Sequence, residues 1–470
     1  MPQIRATDFH QYIVCDRKVY LGHHGDPALR LPLTAHDQLI MQQGQAHETS
    51  VMETVLHVRP EYEVIDLPAG FRETLRLMRE GAPVIAQGVL MHDDLVGIPD
   101  VLRRIEVPSA LGDHAYEPVD IKLSTRQRDG HALQVMAYIA MLEAIQGMRP
   151  QGALWLRPPV DAPPGSFVEH PVEFDEERYT ARLAQVRSAA GGIEPPPFFS
   201  SECGSCIWRA VCVPLVQDSS DISLIPRMQR RVWLALRERG VRRLGQLAAL
   251  EPRDILDIKG VGDKTARSYI DHARAFTHGK PILRGRPDLP EGDVEVYFDI
   301  ESAPAENVYY LMGFLVHDGS GTHFEHELAS RPVDEGAMWA RFLDRVDMLG
   351  GAVYHYGSFE RRAIAELVGR YGADLRAEAL LERMIDLEVL LRTSAVLPLP
   401  SYSLKSVAPW LGHTWSGETT TADESIVAYT RWLESGDAAH LESVLLYNED
   451  DCRATLRIKE WLATLPVSGD

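Results

Sequence analysis

YEPVDIKLS, residues 116–124, is a short apolar run that carries an acid and a lysine two positions apart. A second run of the same kind, LVGIPDVL (95–102), places Asp100 upstream of it. Both runs read as strands. Side chains two apart on a strand share a face, so Asp120 and Lys122 project together. An aspartate from a neighbouring strand, Asp100, then completes a site for a hard divalent ion, because carboxylate oxygens suit Mg²⁺ or Mn²⁺. An ion held there would polarise a scissile phosphate and help to generate hydroxide. Lys122 would position the attacking water or offset charge on the phosphorane. On its own, an Asp-x-Lys strand is most often a surface salt link.

Two neighbouring segments add to the pattern. HALQVMAYIAMLE (131–143) has helical periodicity, and its Gln134 and Tyr138 lie four apart on one helix face. GQAHETSVMETVL (44–56) also reads as a helix and offers His47 and Glu48; His47 is a candidate extra ligand, favouring Mn²⁺ over Mg²⁺. Further on, CGSCIWRAVC (203–212) gathers Cys203, Cys206 and Cys212 out of a total of five cysteines. An odd, clustered set does not look like a secreted disulfide framework. It suggests a reducing cytoplasmic setting and a metal. Sulfur ligation suits Zn²⁺ or an iron–sulfur cluster, and spacing alone does not separate them.

This ordered set resembles the RecB-type PD-(D/E)xK nucleases. It is closest to their CRISPR-associated adaptation nuclease and AddB branch, in which a cysteine cluster clips the nuclease domain. The resemblance rests on His47, Asp100, Asp120-x-Lys122 and Gln134-xxx-Tyr138. It also rests on the opening RATDFHQYIVCDRKVYL (5–21), with its single Cys15, and on the closing PPPFFSSECGSCIWRAVC (195–212). It implies catalytic roles for Asp100, Asp120, Lys122, Gln134 and Tyr138. It implies Cys15 as the fourth thiolate beside Cys203, Cys206 and Cys212, a 4Fe-4S cluster in preference to Zn²⁺, and a stapling role for that cluster. Cys452 stands apart and reads as a core cysteine.

The middle of the chain inverts the charge. Residues 221–275 hold 12 Lys plus Arg against 7 Asp plus Glu, hence +5 by subtraction, whereas the whole chain carries a formal −20. By itself such a segment is as well read as a solvated helix face. Within it, DILDIKGVGDKTARSYIDHA (254–273) sets Gly260 and Gly262 between two helical stretches. Glycines there let the turn take positive φ and let a backbone approach. The helix that follows begins with free N–H groups, an anion site to which Lys264 adds a phosphate contact. The stretch resembles a helix-hairpin-helix motif, which implies DNA-backbone binding without sequence reading. Gly-Lys-Thr never occurs consecutively, so no Walker A loop and no ATP motor of the chain's own is visible.

VEVYFDIESAP (294–304) repeats the first logic: a strand ending in Asp299 and Glu301, two apart. GAVYHYGSFERRAI (351–364) offers Tyr356 and Glu360, MIDLEVLLR (384–392) offers Asp386, and YNEDDCRATLRIKEWL (447–462) reads as a helix with Tyr447 and Asp451 on one face. The set resembles the DEDD 3′–5′ exonucleases of the RNase H-like superfamily, most of all their YprB-type branch. The resemblance implies Asp299, Glu301, Glu360 and Asp451 as ligands of two divalent ions and Tyr447 as the residue that orients water. Glu360 departs from the family pattern, which supplies Asp there, and Asp386 is a candidate supporting residue instead.

The fold class expected is α/β: a PD-(D/E)xK restriction-endonuclease-like domain (1–220), a small all-α helix-hairpin-helix domain (221–285) and an RNase H-like domain (290–466). The order resembles a family of bacterial RecB-like nucleases over nearly the full length. Residues 213–225 read as a linker, 279–293 as a second break, and the Pro-rich stretches 156–165 and 193–199 as bends. No apolar run is long enough to span a membrane, and MPQIRATDFHQYIVCDRK lacks a signal-peptide layout. The net charge disfavours non-specific coating of nucleic acid. The expectation is a cytoplasmic metal-dependent nuclease acting on single-stranded or end-containing DNA in repair or processing. Two alternatives stay open: a non-catalytic nucleic-acid adaptor that recruits a helicase, and an RNA-directed nuclease.

Overall fold

The computed structural model describes residues 2–63, 65–158 and 162–467. Residues 159–161 of the first Pro-rich stretch lie outside the described residues. The chain divides into two compact units, Met1–Pro197 with Ser201–Pro214, and Phe198–Ser200 with Leu215–Asp470.

The first unit is built on a five-stranded sheet. Its order is Val84–Ala86, Val101–Ile105, Ala115–Lys122, Gly152–Leu156, Val168–Val172. The Ala115–Lys122 strand runs antiparallel to Val101–Ile105 and parallel to Gly152–Leu156. Alternation along these strands sorts the residues into two cores. Leu102, Tyr116 and Leu154 pack with the helix Asp129–Gln146. Val101, Val119, Ile121 and Trp155 pack with Val51 and Met52 of the helix Ala35–Glu53. Asp120 and Lys122 share parity with Tyr116, so they face the Asp129–Gln146 helix. That helix is buried almost all round, as expected of one enclosed by a core.

The second unit begins with short helices, Arg230–Glu238, Leu244–Ala248 and Asp263–His278, around Val232, Trp233 and Leu236. The linker expected at 213–225 is not one. Helix Arg209–Asp218 runs through its first half, and the buried Ile222, Leu224 and Ile225 join the helical core. Asp221 there accepts hydrogen bonds from Trp233 Nε1 and Arg237 Nη1, both at 2.8 Å. The break at 279–293 is also tied down: Ile282–Leu283 pairs with Ala395–Val396, so the helical segment is continuous with the C-terminal domain.

The C-terminal sheet has the order Gly321–Leu328, Val308–Asp318, Glu295–Ala303, Ala352–His355, Met384–Asp386. Its first two pairings are antiparallel and its last two parallel. Along the central strand, Val296, Phe298 and Ile300 enter one core with Trp339 and Phe342. The odd positions, led by Tyr297, face the long helix Ala438–Ala463, whose Ile458 and Leu462 share their core. Asp299 and Glu301 therefore look at that helix. Both end domains are mixed α/β, as expected. Among the described residues no helix is long and apolar enough to cross a membrane.

Candidate metal centres

Asp299 and Glu301 leave the central strand on the same face, and Asp451 arrives from the Ala438–Ala463 helix. One oxygen of each carboxylate lies within 4.8 Å of the others. Among the described residues these three form the one group of three or more His, Cys, Asp or Glu ligand atoms this close. Burial, then Asp451 and Glu301, pushes the Asp299 carboxyl well up. Burial and Asp451 push Glu301 up to about 8. Burial also raises Asp451, against the pull of Lys405. Three acids crowded in this way, Glu301 and Asp451 buried and Asp299 half-buried, repel one another, and an oxygen-seeking divalent cation relieves that repulsion. The donor set therefore fits Mg²⁺ or Mn²⁺.

Several residues around this group were not singled out in the sequence. Lys405 Nζ forms an ion pair with Asp451 Oδ1 and lies over the rings of Trp415 and Tyr447, at 3.9 and 4.1 Å. Trp415 Nε1 donates to Asp451 Oδ1 at 2.7 Å. Asn448 Nδ2 donates to Asp299 Oδ2 at 2.7 Å. Asn448, three before Asp451 on one helix face, had a readable signal. Lys405 and Trp415 had none. Gly313, opposite Asp299 in the neighbouring strand, makes room: a Cβ there would sit 1.5 Å from Asn448 Oδ1.

The other expected members divide. Tyr447 is brought in: burial and then Asp451 push its hydroxyl up, and the two side chains interact. Glu360 is buried and close enough to raise Asp299, but its carboxylate is not in the group and faces His355 Nδ1 at 3.4 Å. Asp386 accepts from the backbone N–H of Gly357 and Glu388, at 3.0 and 2.8 Å, and so caps the helix Leu387–Ser394. Tyr356 donates to the Tyr402 carbonyl at 2.6 Å. Cys452 is fully buried in the core.

In the first unit Asp100 precedes its strand and accepts from Ile121 N–H at 2.6 Å, which ties it to the strand bearing Asp120. Asp120 and Lys122 form an ion pair. Burial and Asp120 push the Asp100 carboxyl well up. Burial pulls Lys122 down, but Asp120 and Asp100 outweigh it and hold the ammonium above its ordinary value. Gln134 Nε2 donates to the Tyr138 hydroxyl at 2.9 Å, which donates to the Ile98 carbonyl at 3.3 Å, two residues from Asp100. Burial and Arg157 pull the His47 imidazole down. Within 4.8 Å neither Glu48 nor His47 closes a group with Asp100 and Asp120. Of the two, Glu48 is the residue felt by both Asp100 and Lys122. Beside Lys122, His10 and His131 stack with ring centres 5.3 Å apart.

Cys15 sits in extended backbone at the break between helices Ala6–Val14 and Asp16–His24. Cys203, Cys206 and Cys212 lie on the segment that closes the same unit. That segment docks on the opening one through the Leu31 N–H to Ile207 carbonyl bond of 2.8 Å and through Trp208, packed beside Gly25. Burial pushes the Cys212 thiol up, Arg17 pulls it down, and Cys206 and Cys203 are near enough to act on it. All four cysteines are half-buried.

In the helical segment Gly260 takes φ +89°, and a Cβ there would strike the Arg231 guanidinium at 2.3 Å. Gly262 does not need positive φ; it caps the helix Asp263–His278 at φ −96°. The first helical stretch expected before the glycines is a short 3-10 turn, Pro252–Ile255.

Against known families, residues 27–213 match the PD-(D/E)XK nuclease superfamily. Residues 296–463 match the RNase H superfamily. No curated protein matches the chain. Two domains of nuclease superfamilies in one chain support a nuclease function, with nucleic acid as its substrate.

Proposed function

We propose that this protein is a divalent-metal-dependent nuclease with two hydrolytic centres, acting on single-stranded or end-containing DNA in repair or processing. The observation that carries the reading is the close Asp299–Glu301–Asp451 group inside the segment that matches the RNase H superfamily. Asp299, Glu301 and Asp451 would hold Mg²⁺ or Mn²⁺ there, and Asp100 and Asp120, with Glu48 beside them, would hold it in the first unit. The ions supply Lewis-acid activation of the phosphodiester and its attacking water.

The chain's own residues provide the rest. Asn448 fixes the Asp299 carboxylate, and Trp415 fixes that of Asp451. Tyr447 stands beside Asp451, placed to orient water. Lys122 sets a positive charge next to Asp120, where charge builds on a phosphate under attack. Gln134 holds Tyr138, and Tyr138 holds the Ile98 carbonyl, which steadies the loop leading to Asp100. Residues 221–285 act as a helix-hairpin-helix grip through Gly260, Gly262 and Lys264.

Cys15, Cys203, Cys206 and Cys212 would hold a 4Fe-4S cluster that staples the first unit. No three of their sulfurs approach within 4.8 Å of one another. A single tetrahedral Zn²⁺, with Zn–S near ~2.3 Å, would draw them to roughly 3.8 Å; a multi-iron core accommodates wider ligands.

Glu360 pairs with His355 instead of the acidic group, which favours one alternative for the C-terminal domain: it grips nucleic acid without cutting. Labelled single-stranded DNA, duplex DNA and RNA incubated with Mn²⁺ test the reading. Asp120→Ala and Asp299→Ala should each abolish a separate activity on DNA. Absence of cleavage on every substrate, or wild-type rates in both variants, would contradict it.

A further inference from the structure

The second unit contains a cavity of about 370 Å³ between the helix Asp263–His278 and the strand pair that joins it to the C-terminal domain. Arg227, Lys264, Arg284 and Arg392 line it, with the hydroxyls of Thr265 and Ser268. No carboxylate lines it. In a chain of net charge −20, four cations around one acid-free cavity are a marked local reversal.

The surrounding acids compensate this charge in part. Arg284 pairs with Asp271 at 3.0 Å, and Arg392 with Glu388 at 2.7 Å. Arg227 reaches the same Glu388 only at 3.7 Å. Lys264 has no hydrogen-bond or ion-pair partner among the described residues. Two acids thus serve four cations. Arg227 is further held at φ +59°, a conformation that side chains other than glycine rarely adopt. The far wall is firm: His272 is buried and bonded to the Ser268 carbonyl and the Tyr402 hydroxyl, at 2.7 and 3.2 Å.

The cavity meets the hairpin at Lys264, in the first turn of the helix that Gly262 caps, and extends beyond it: neither Gly260 nor Gly262 lines it, Ser268 lies one turn further along the same flank, and Arg284 and Arg392 close it from outside the hairpin. Its volume lies near the lower end of ligand pockets, roughly 300–1,000 Å³, which suits one nucleotide unit and not a duplex.

We propose that this cavity is a phosphate subsite for a single nucleic-acid strand, with Arg227, Lys264, Arg284 and Arg392 clasping one phosphate group, at a strand end or within it. The proposal rests on the nucleic-acid reading above and adds where the strand is held: on ground shared by the helical segment and the C-terminal domain.

The test uses the full chain in EDTA, so that binding is read without cleavage. Fluorescence anisotropy with labelled single-stranded DNA is followed across a salt series for the wild type, for Arg227→Glu with Lys264→Glu, and for Arg253→Glu. Arg253 is an exposed arginine of the same segment that does not line the cavity. Each single-strand phosphate contact contributes roughly 0.7 to the slope of log affinity against log salt. The double variant should weaken binding about tenfold or more and reduce that slope by about 0.7, the share of one phosphate. Arg253→Glu should change little. Oligonucleotides with 5′-phosphate, 3′-phosphate or hydroxyl ends assign the group: a terminal phosphate if the double variant erases a preference among them, an internal one if all three weaken alike. Wild-type affinity and slope in the double variant, or an equal loss in Arg253→Glu, would overturn the subsite and leave the nuclease reading intact. A wild-type protein that binds no strand would overturn both.

Discussion

Replacing Glu301 by glutamine should stabilise the metal-free protein. The side chain is 4% exposed, and burial together with Asp451 pushes its carboxyl up to about 8, against 4.5 for an ordinary glutamate. Between those values the folded chain keeps a proton that the unfolded chain has released. Stability therefore falls as pH rises through that window. At about 1.4 kcal/mol per pH unit, Glu301 removes about 3 kcal/mol by pH 7 and about 4 by pH 8, relative to a neutral isostere. Glutamine keeps the amide-facing oxygen near Asn448 Nδ2 and has nothing to ionise. Urea unfolding in EDTA, at several pH values from 5 to 8, measures the difference. The wild type should lose stability across the range, and Glu301→Gln should exceed it most at pH 8. Saturating Mn²⁺ should close most of the gap at pH 7, because ligand at about 100 times its Kd adds about 2.7 kcal/mol to a protein that binds it. A metal-free Glu301→Gln protein less stable than the wild type at pH 8 would refute the crowded-carboxylate argument.

Three further outcomes follow from the same geometry. Gly313→Ala should push Asn448 off Asp299 and cost about 1–3 kcal/mol, read by urea unfolding, with a smaller Mn²⁺-induced rise in Tm. Lys405→Met removes the cation paired with Asp451, so metal-free stability should drop by about 2 kcal/mol while the Mn²⁺-induced gain grows. Anaerobically purified protein should be brown with about four irons per chain; Cys206→Ser should lower the iron content and the melting temperature of the first unit, whereas a colourless protein holding zinc would contradict the cluster.

The acidic centres were legible where strand alternation speaks. Two-residue spacing placed Asp299 with Glu301 and Asp120 with Lys122, and four-residue spacing placed Tyr447 with Asp451. What the sequence hid depends on how elements approach one another. His47 and Glu48 are adjacent on a helix, about 100° apart around it. Which of them meets Asp100 is set by how that helix rolls against the sheet. Lys405 and Trp415 come from a short helix and the turn after it, with no periodic mark of their destination. Residues 213–225, with polar Gln217–Ser220 in their middle, looked like a linker, yet Ile222, Leu224 and Ile225 at their end close the helical core. Glu360 was found as the acid of its segment, but His355 on the preceding strand claims it.

The most direct measurement is anomalous diffraction at the manganese edge from crystals soaked in millimolar Mn²⁺. The account predicts one site bounded by Asp299, Glu301 and Asp451 and another bounded by Asp100 and Asp120. A map with no manganese peak within bonding distance of either set of carboxylates would contradict it.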